Sequence, residues 1–193
     1  MANLQVVILL IAVCFKLGAG EGTLLGFGVS AAEQKQIVDL HNSVRNQIME
    51  GTLSGQPKGV NLLQLKYDSS LAEAAQEIAN TTIFKHAAVS DDRFYVGQNL
   101  FAAASTAPGS GIANWTSAII SSWVSEHKSY TYAKCCVSGT GHYTQVIWAK
   151  TQYVGCGFSY FKTTGKYAYN YLYVCNYGPG GNSVGSYPYE TES

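Results

Sequence analysis

The side-chain pattern of this chain changes period near residue 128, and that change restricts its fold more than any other feature. Before it, apolar residues recur every three or four positions, as a helix with one buried face requires. Ser30 followed by Glu33 has the form of a capping box, and Ile37, Leu40, His41, Val44 and Ile48 then share one face until Gly51 stops the pattern. Residues 51–59, rich in Gly, Ser and Pro, read as a loop. Asp68 caps a second helix that carries Leu71, Ala74, Ala75, Ile78 and Ala79 and ends near Phe84. A loop is expected over residues 102–111, and Ile119, Ile120, Trp123 and Val124 give a third helix from about Asn114 to His127. After residue 128 stand twelve of the fourteen tyrosines, and the stretches around 153–161 and 167–177 alternate as strands do, with Thr163-Thr164-Gly165 as a turn between them. Helices first and strands later, without βαβ alternation, predict an α+β layered domain.

The cysteines fit such a hairpin. Antiparallel pairing brings Cys156 and Cys175 roughly into register, so a disulfide clamping neighbouring strands is expected. Cys135 and Cys136 stay open, as two free thiols or as a strained vicinal ring, because adjacent α-carbons lie about 3.8 Å apart and relaxed disulfides prefer ~4.4–6.8 Å. Disulfides imply an oxidising compartment. The start of the chain agrees, since an apolar run over residues 4–15 followed by Gly18, Ala19 and Gly20 reads as a signal peptide over residues 1–20. Residues 21–193 are then a single secreted domain. The apolar run is shorter than the ~20 residues a bilayer span needs, so no transmembrane anchor is expected. Asn80-Thr81-Thr82 and Asn114-Trp115-Thr116 have the form of N-glycosylation acceptors. Twelve basic residues balance twelve acidic ones without a Lys or Arg cluster, which argues against a nucleic-acid partner.

Two motifs in the last third carry a resemblance. They are Gly141-His142-Tyr143-Thr144-Gln145-Val146-Ile147-Trp148 and Tyr171-Leu172-Tyr173-Val174-Cys175-Asn176-Tyr177-Gly178-Pro179. Upstream, His41-Asn42-Ser43-Val44-Arg45, Lys85-His86, Val96-Gly97-Gln98-Asn99-Leu100 and Trp123-Val124-Ser125-Glu126 extend it over nearly all of residues 21–193. The chain resembles the CAP superfamily of cysteine-rich secretory, antigen-five and pathogenesis-related proteins, most of all the arthropod antigen-five or venom-allergen group. The resemblance implies an α-β-α sandwich with an antiparallel sheet between helical layers, the Cys156–Cys175 bond, and a cleft holding two histidines and two acidic residues. The matching positions are His86, Gln98, Glu126 and His142. Gln98 departs from the pattern, because many relatives place Glu there. An amide neither accepts nor releases a proton near neutral pH, and it offers a metal one fewer negative charge.

That resemblance implies a secreted, non-enzymatic binding or effector protein whose partner is an extracellular protein or a lipid, with lipid or sterol carriage as one route. Two imidazoles and a carboxylate can ligate zinc, polarise water or form a structural hydrogen-bond network, and the residue types alone do not choose. Zinc on His86 and His142 is expected to bind loosely and not to be needed for the fold. The alternative is a secreted hydrolase using His86, Glu126 and His142, against which stands the absence of a nucleophile elbow or a His-Glu-x-x-His zinc helix. Glu126 beside His127 reads equally well as an ordinary solvent-facing pair. His41, on the apolar face of the first helix, reads as a hydrogen-bonded core residue. Trp115, Trp123 and Trp148 are expected in the core or along the cleft, and the tyrosines read as strand formers before they read as a binding face.

Overall fold

In the computed structural model, which describes residues 22–192, Ser30 and Glu33 close the expected capping box and helix α1 follows over Ala31–Glu50. The expected signal peptide, with Cys14, lies outside the described residues, as does Glu21. Gly51 ends α1 in the left-handed conformation, φ 72°, which glycine adopts without steric cost. Asp68 caps α2, Ser69–Asn80, by accepting from Leu71 N. This helix stops at Asn80 and not near Phe84, because the Thr81 hydroxyl turns back to donate to Ile78 O and Thr82 takes φ 60°.

The third helix spans the expected stretch with different winding. Ser117–Trp123 is π-helical and Val124–Ser129 continues as a 3-10 helix. A further six-residue helix, α3, covers Gly141–Val146 inside the region read as strand-rich.

The expected hairpin consists of β4, Tyr153–Lys162, and β5, Tyr169–Gly178, in which Cys156 lies opposite Cys175 and is bonded to it. The sheet order is β1 (Thr23–Phe27), β4, β5, β3 (Gly97–Ser105), antiparallel throughout, while the two-residue β2 (Lys66–Tyr67) pairs in parallel with β4. Residues 102–105 extend β3 instead of opening a loop. Their small side chains carry no alternation, but their backbone pairs with residues 169–172 of β5.

The pleat sorts β4 between two layers. Val154, Cys156, Phe158 and Tyr160 join the larger core, with α1, the π/3-10 helix and α3, around the buried Trp115, Ile119, Trp123, Tyr143 and Tyr177. Phe161 turns to the other face, where it meets Ala75 and Ala79 of α2 together with Leu100, Leu172 and Val174. Gly155 and Gly157 lie so close beneath α2 that a Cβ on either would strike its backbone near Ala72 and Gln76. The result is the α-β-α sandwich.

Arg45 locks α1 to the loop that follows α3. Fully buried, it donates from Nε to Leu63 O, from Nη1 to Val146 O and Trp148 O, and from Nη2 to Ala149 O and Thr151 O, at 2.6–3.3 Å. Every guanidinium N–H therefore has a backbone acceptor, while burial without a carboxylate lowers its pKa to about 9.

Candidate functional site: a cleft over the sheet edge

His142 is gripped from several sides. Its Nδ1 donates to Glu126 Oε1 at 2.6 Å, and the other carboxylate oxygen accepts from Tyr143 N at 3.0 Å. Trp123 lies against the imidazole at 6.2 Å between centroids, and the indole N–H is itself fixed by donating to Leu100 O at 2.9 Å. Glu126 is thus committed to His142 and is no solvent-facing partner of His127, whose Nδ1 bonds Val124 O instead.

His86 sits on the exposed loop after α2, and its partner Gln98 projects from the edge strand β3. Gln98 Nε2 donates to Ala87 O at 3.2 Å and to Asn176 Oδ1 at 2.9 Å, and Oε1 accepts from Ala87 N at 3.1 Å. Asn176 is fully buried and its own Nδ2 donates to Leu71 O, so neither amide is free to flip. The His86 Nδ1 that meets Gln98 Oε1 at 3.0 Å must then be the protonated nitrogen. Both imidazoles donate from Nδ1, which leaves the Nε2 of each without a partner among the described residues.

The same network accounts for Gln at position 98. A glutamate would turn lone pairs toward Ala87 O and Asn176 Oδ1, where the amide supplies two donors.

Successive β3 residues face opposite sides of the sheet, so Gln98 reaches toward the α2 side while Asn99 reaches toward α3 and donates to His142 O at 3.0 Å. The four residues therefore form two pairs that meet over the sheet edge, not one tight cluster. Among the described residues no group of three or more His, Cys, Asp or Glu side chains stands ready to hold a metal. A cavity of about 330 Å³ joins the pairs, lined by His86, Gln98, Asn99, Glu126, His142 and Asn182. A second lobe of about 410 Å³ continues past His86 and Gln98 to Tyr95 and Gln145.

Asn99, Asn176 and Asn182 are the functional residues that sequence reasoning missed. Asn182 donates to Gly141 O at 2.9 Å and accepts from Thr144 Oγ1 at 2.7 Å, bracing α3 from the cleft side. The available signal was an amide placed inside an apolar motif. Cys135 and Cys136 are bonded to each other, and Cys135 N donates to Ser186 O, tying that ring to the Asn182 loop. The spelling Gly-x-Ser-x-Gly does occur, at residues 181–185, contrary to the reading that no such elbow is present. No helix follows it, however, and Ser183 is exposed and lines a separate pocket.

His41 is buried as expected. Its Nδ1 donates to Ile37 O at 2.8 Å, Nε2 accepts from the Tyr177 hydroxyl at 2.9 Å, and burial lowers its pKa to about 4. Trp115 and Trp148 are buried too. Of the two glycosylation acceptors, Asn114 is exposed, whereas Asn80 is partly buried, accepts from Gln76 Nε2 and belongs to a triplet whose Thr82 is buried.

The family model described as "CAP: Cysteine-rich secretory protein family" matches residues 38–177, a span that includes all four cleft residues. The chain belongs to the CAP family. It is 39% identical over 168 residues to salivary antigen-5 of Dipetalogaster maximus, covering 83% of this chain and 67% of that protein. It is also 39% identical over 177 residues to venom allergen 5 of Tityus serrulatus, covering 86% of this chain and 42% of that protein, so it spans less than half of this relative. Among solved CAP structures, venom allergen-like protein 4 of Schistosoma mansoni superposes with a TM-score of 0.67 at 29% identity, over 86% of this chain and 97% of that one.

Proposed function

We propose that this protein is a secreted, extracellular binding or effector protein of the venom-allergen kind, without catalytic turnover, which receives its partner between His86 and His142. The observation that carries the reading is the pair of cleft-lining imidazoles, each held by an Nδ1–H bond, one to Glu126 and one to Gln98, with Nε2 unpartnered among the described residues. Such nitrogens suit a divalent metal or the N–H and O–H groups of a protein ligand. Among the described residues lining either lobe there is no serine, threonine or cysteine to serve as a nucleophile, which weighs against the hydrolase alternative. The lobe between the histidines is also polar and amide-rich, a poor seat for a sterol ring, so a protein partner is favoured over a lipid there.

The donor set fits zinc loosely. His86 and His142 would hold the ion, with water completing its coordination, and a bound zinc would offer a positive centre for a partner's carboxylate or carbonyl. Glu126 orients His142 and places a carboxylate behind it, while the neutral Gln98 gives His86 orientation without charge. Secretion through the signal peptide over residues 1–20 and a glycan on Asn114 in preference to Asn80 belong to the same proposal.

Calorimetric zinc titration of wild type, His86→Ala and His142→Ala tests the metal reading. Weak binding by the wild type, lost in both variants, is expected; equal binding by all three, or none at about 1 mM zinc, contradicts it. Ester or peptide turnover that disappears in His142→Ala would contradict the non-enzymatic reading.

A further inference from the structure

A second cavity, of about 440 Å³, opens on the far side of the larger core, where β1 meets the start of α1. Its apolar lining is Phe27, Ile112, Ala113 and Phe158, and its polar lining includes Glu33 and Gln36. Phe27 and Ile112 on its lip are 66% and 71% exposed, so the rim of the cavity is apolar and open to solvent.

The charge in this cavity has one sign. Glu33 Oε2 accepts from Ser30 N as part of the capping box, which leaves Oε1 without a protein donor among the described residues. No Lys, Arg or His among the described ion pairs is partnered with Glu33. Its field reaches inward, for after burial it is among the causes that raise the pKa values of Tyr67 and Tyr173. Gln36 Nε2 points to Thr116 Oγ1, so its Oε1 is a second acceptor at the cavity. An anion finds no welcome, because Glu33 already occupies the amide end of α1. An ammonium finds the open carboxylate oxygen of Glu33 beside the exposed aromatic ring of Phe27, and aromatic rings attract cations.

We propose that this cavity binds a small organic ammonium with an aromatic or short alkyl body, the charged head on Glu33 and Gln36 and the body against Phe27, Ile112 and Phe158. The site is separate from the histidine cleft, with which it shares no lining residue.

Calorimetric titration with 2-phenylethylamine, and with the charge-reversed 3-phenylpropanoate, tests this on the full chain. The amine is expected to bind about ten-fold tighter than the carboxylate. Glu33→Gln keeps a residue able to complete the capping box, so it should retain the fold while reducing amine affinity about ten-fold. Phe27→Ala should weaken the amine with little change in melting temperature, since that ring is mostly exposed, and His86→Ala should leave amine binding unchanged. Equal affinity for amine and carboxylate, undiminished amine binding by a folded Glu33→Gln protein, or loss of amine binding in His86→Ala would each overturn the proposal, as would no binding of the amine at about 10 mM.

Discussion

His142 and His86 face one cleft on unequal supports. His142 rests on a stacked indole, a carboxylate that also holds its neighbour's amide, and a helix whose end is pinned by the buried Arg45. Behind it, Asn99 Nδ2 donates both to His142 O and to the Tyr177 hydroxyl, which donates on to His41, so the support runs from the cleft into α1. His86 has one side-chain partner and an exposed loop. That loop is moored at its far end by Arg93, which pairs with Asp68 and Asp91 at 2.7 Å and lies over the Phe94 ring. The difference teaches that the cleft has a preset wall, braced from the core, and an adjustable one, held by fewer contacts at the surface.

The largest expected effect breaks the preset wall. Arg45→Met leaves five backbone carbonyls without their donor, and urea unfolding should show a loss of about 3–5 kcal/mol. A loss under about 1 kcal/mol would mean that the loop after α3 holds itself.

Acid should attack the same wall. The folded pKa of His41, lowered to about 4 by burial, lies below the ordinary 6.5, so the unfolded chain takes up the proton first. Its contribution is whole above about pH 6.5 and is lost as pH falls toward 4, amounting to about 3 kcal/mol. Denaturant midpoints measured between pH 7 and 4.5 should fall for the wild type and flatten for His41→Gln. Parallel slopes would remove His41 as the cause.

A smaller effect, about 1–2 kcal/mol, is expected for Glu126→Gln, which keeps an acceptor for one of the two donors and removes the charge. It should also weaken zinc binding. The smallest concerns the adjustable wall, where Gln98→Glu should cost only about 1 kcal/mol, since the exposed loop can move away from the carboxylate and the one buried donor lost is that to Asn176 Oδ1. Hydrogen exchange should locate the damage, with Ala87 N–H exchanging faster and Tyr143 N–H unchanged. Faster exchange at both would show that the two walls are coupled.

Legibility in the sequence divides along similar lines. Elements specified by local rules were readable: the Ser30–Glu33 box, Gly51, the Asp68 cap and the β4–β5 hairpin with Cys156 opposite Cys175. Elements decided by tertiary partners were not. Residues 102–105 are strand because β5 pairs with them, and α2 ends early because Thr81 and Thr82 turn the chain. In the cleft, family likeness named His86, Gln98, Glu126 and His142, but their division into two pairs depends on the pleat at Gln98 and Asn99, which carries no letter code. Asn99, Asn176 and Asn182 act through hydrogen bonds to residues distant in the chain, and only the folded chain brings those partners together.

Partner binding in the cleft requires both histidines to hold a proton on Nδ1 and to offer Nε2. Long-range proton–nitrogen NMR of the imidazole rings at neutral pH, with His86→Ala and His142→Ala used for assignment, reads that state atom by atom. The Nδ1–H form is predicted for His86 and His142 alike, with the Nε2 resonance of each moving when zinc is added. His86 or His142 found as the Nε2–H form would contradict it.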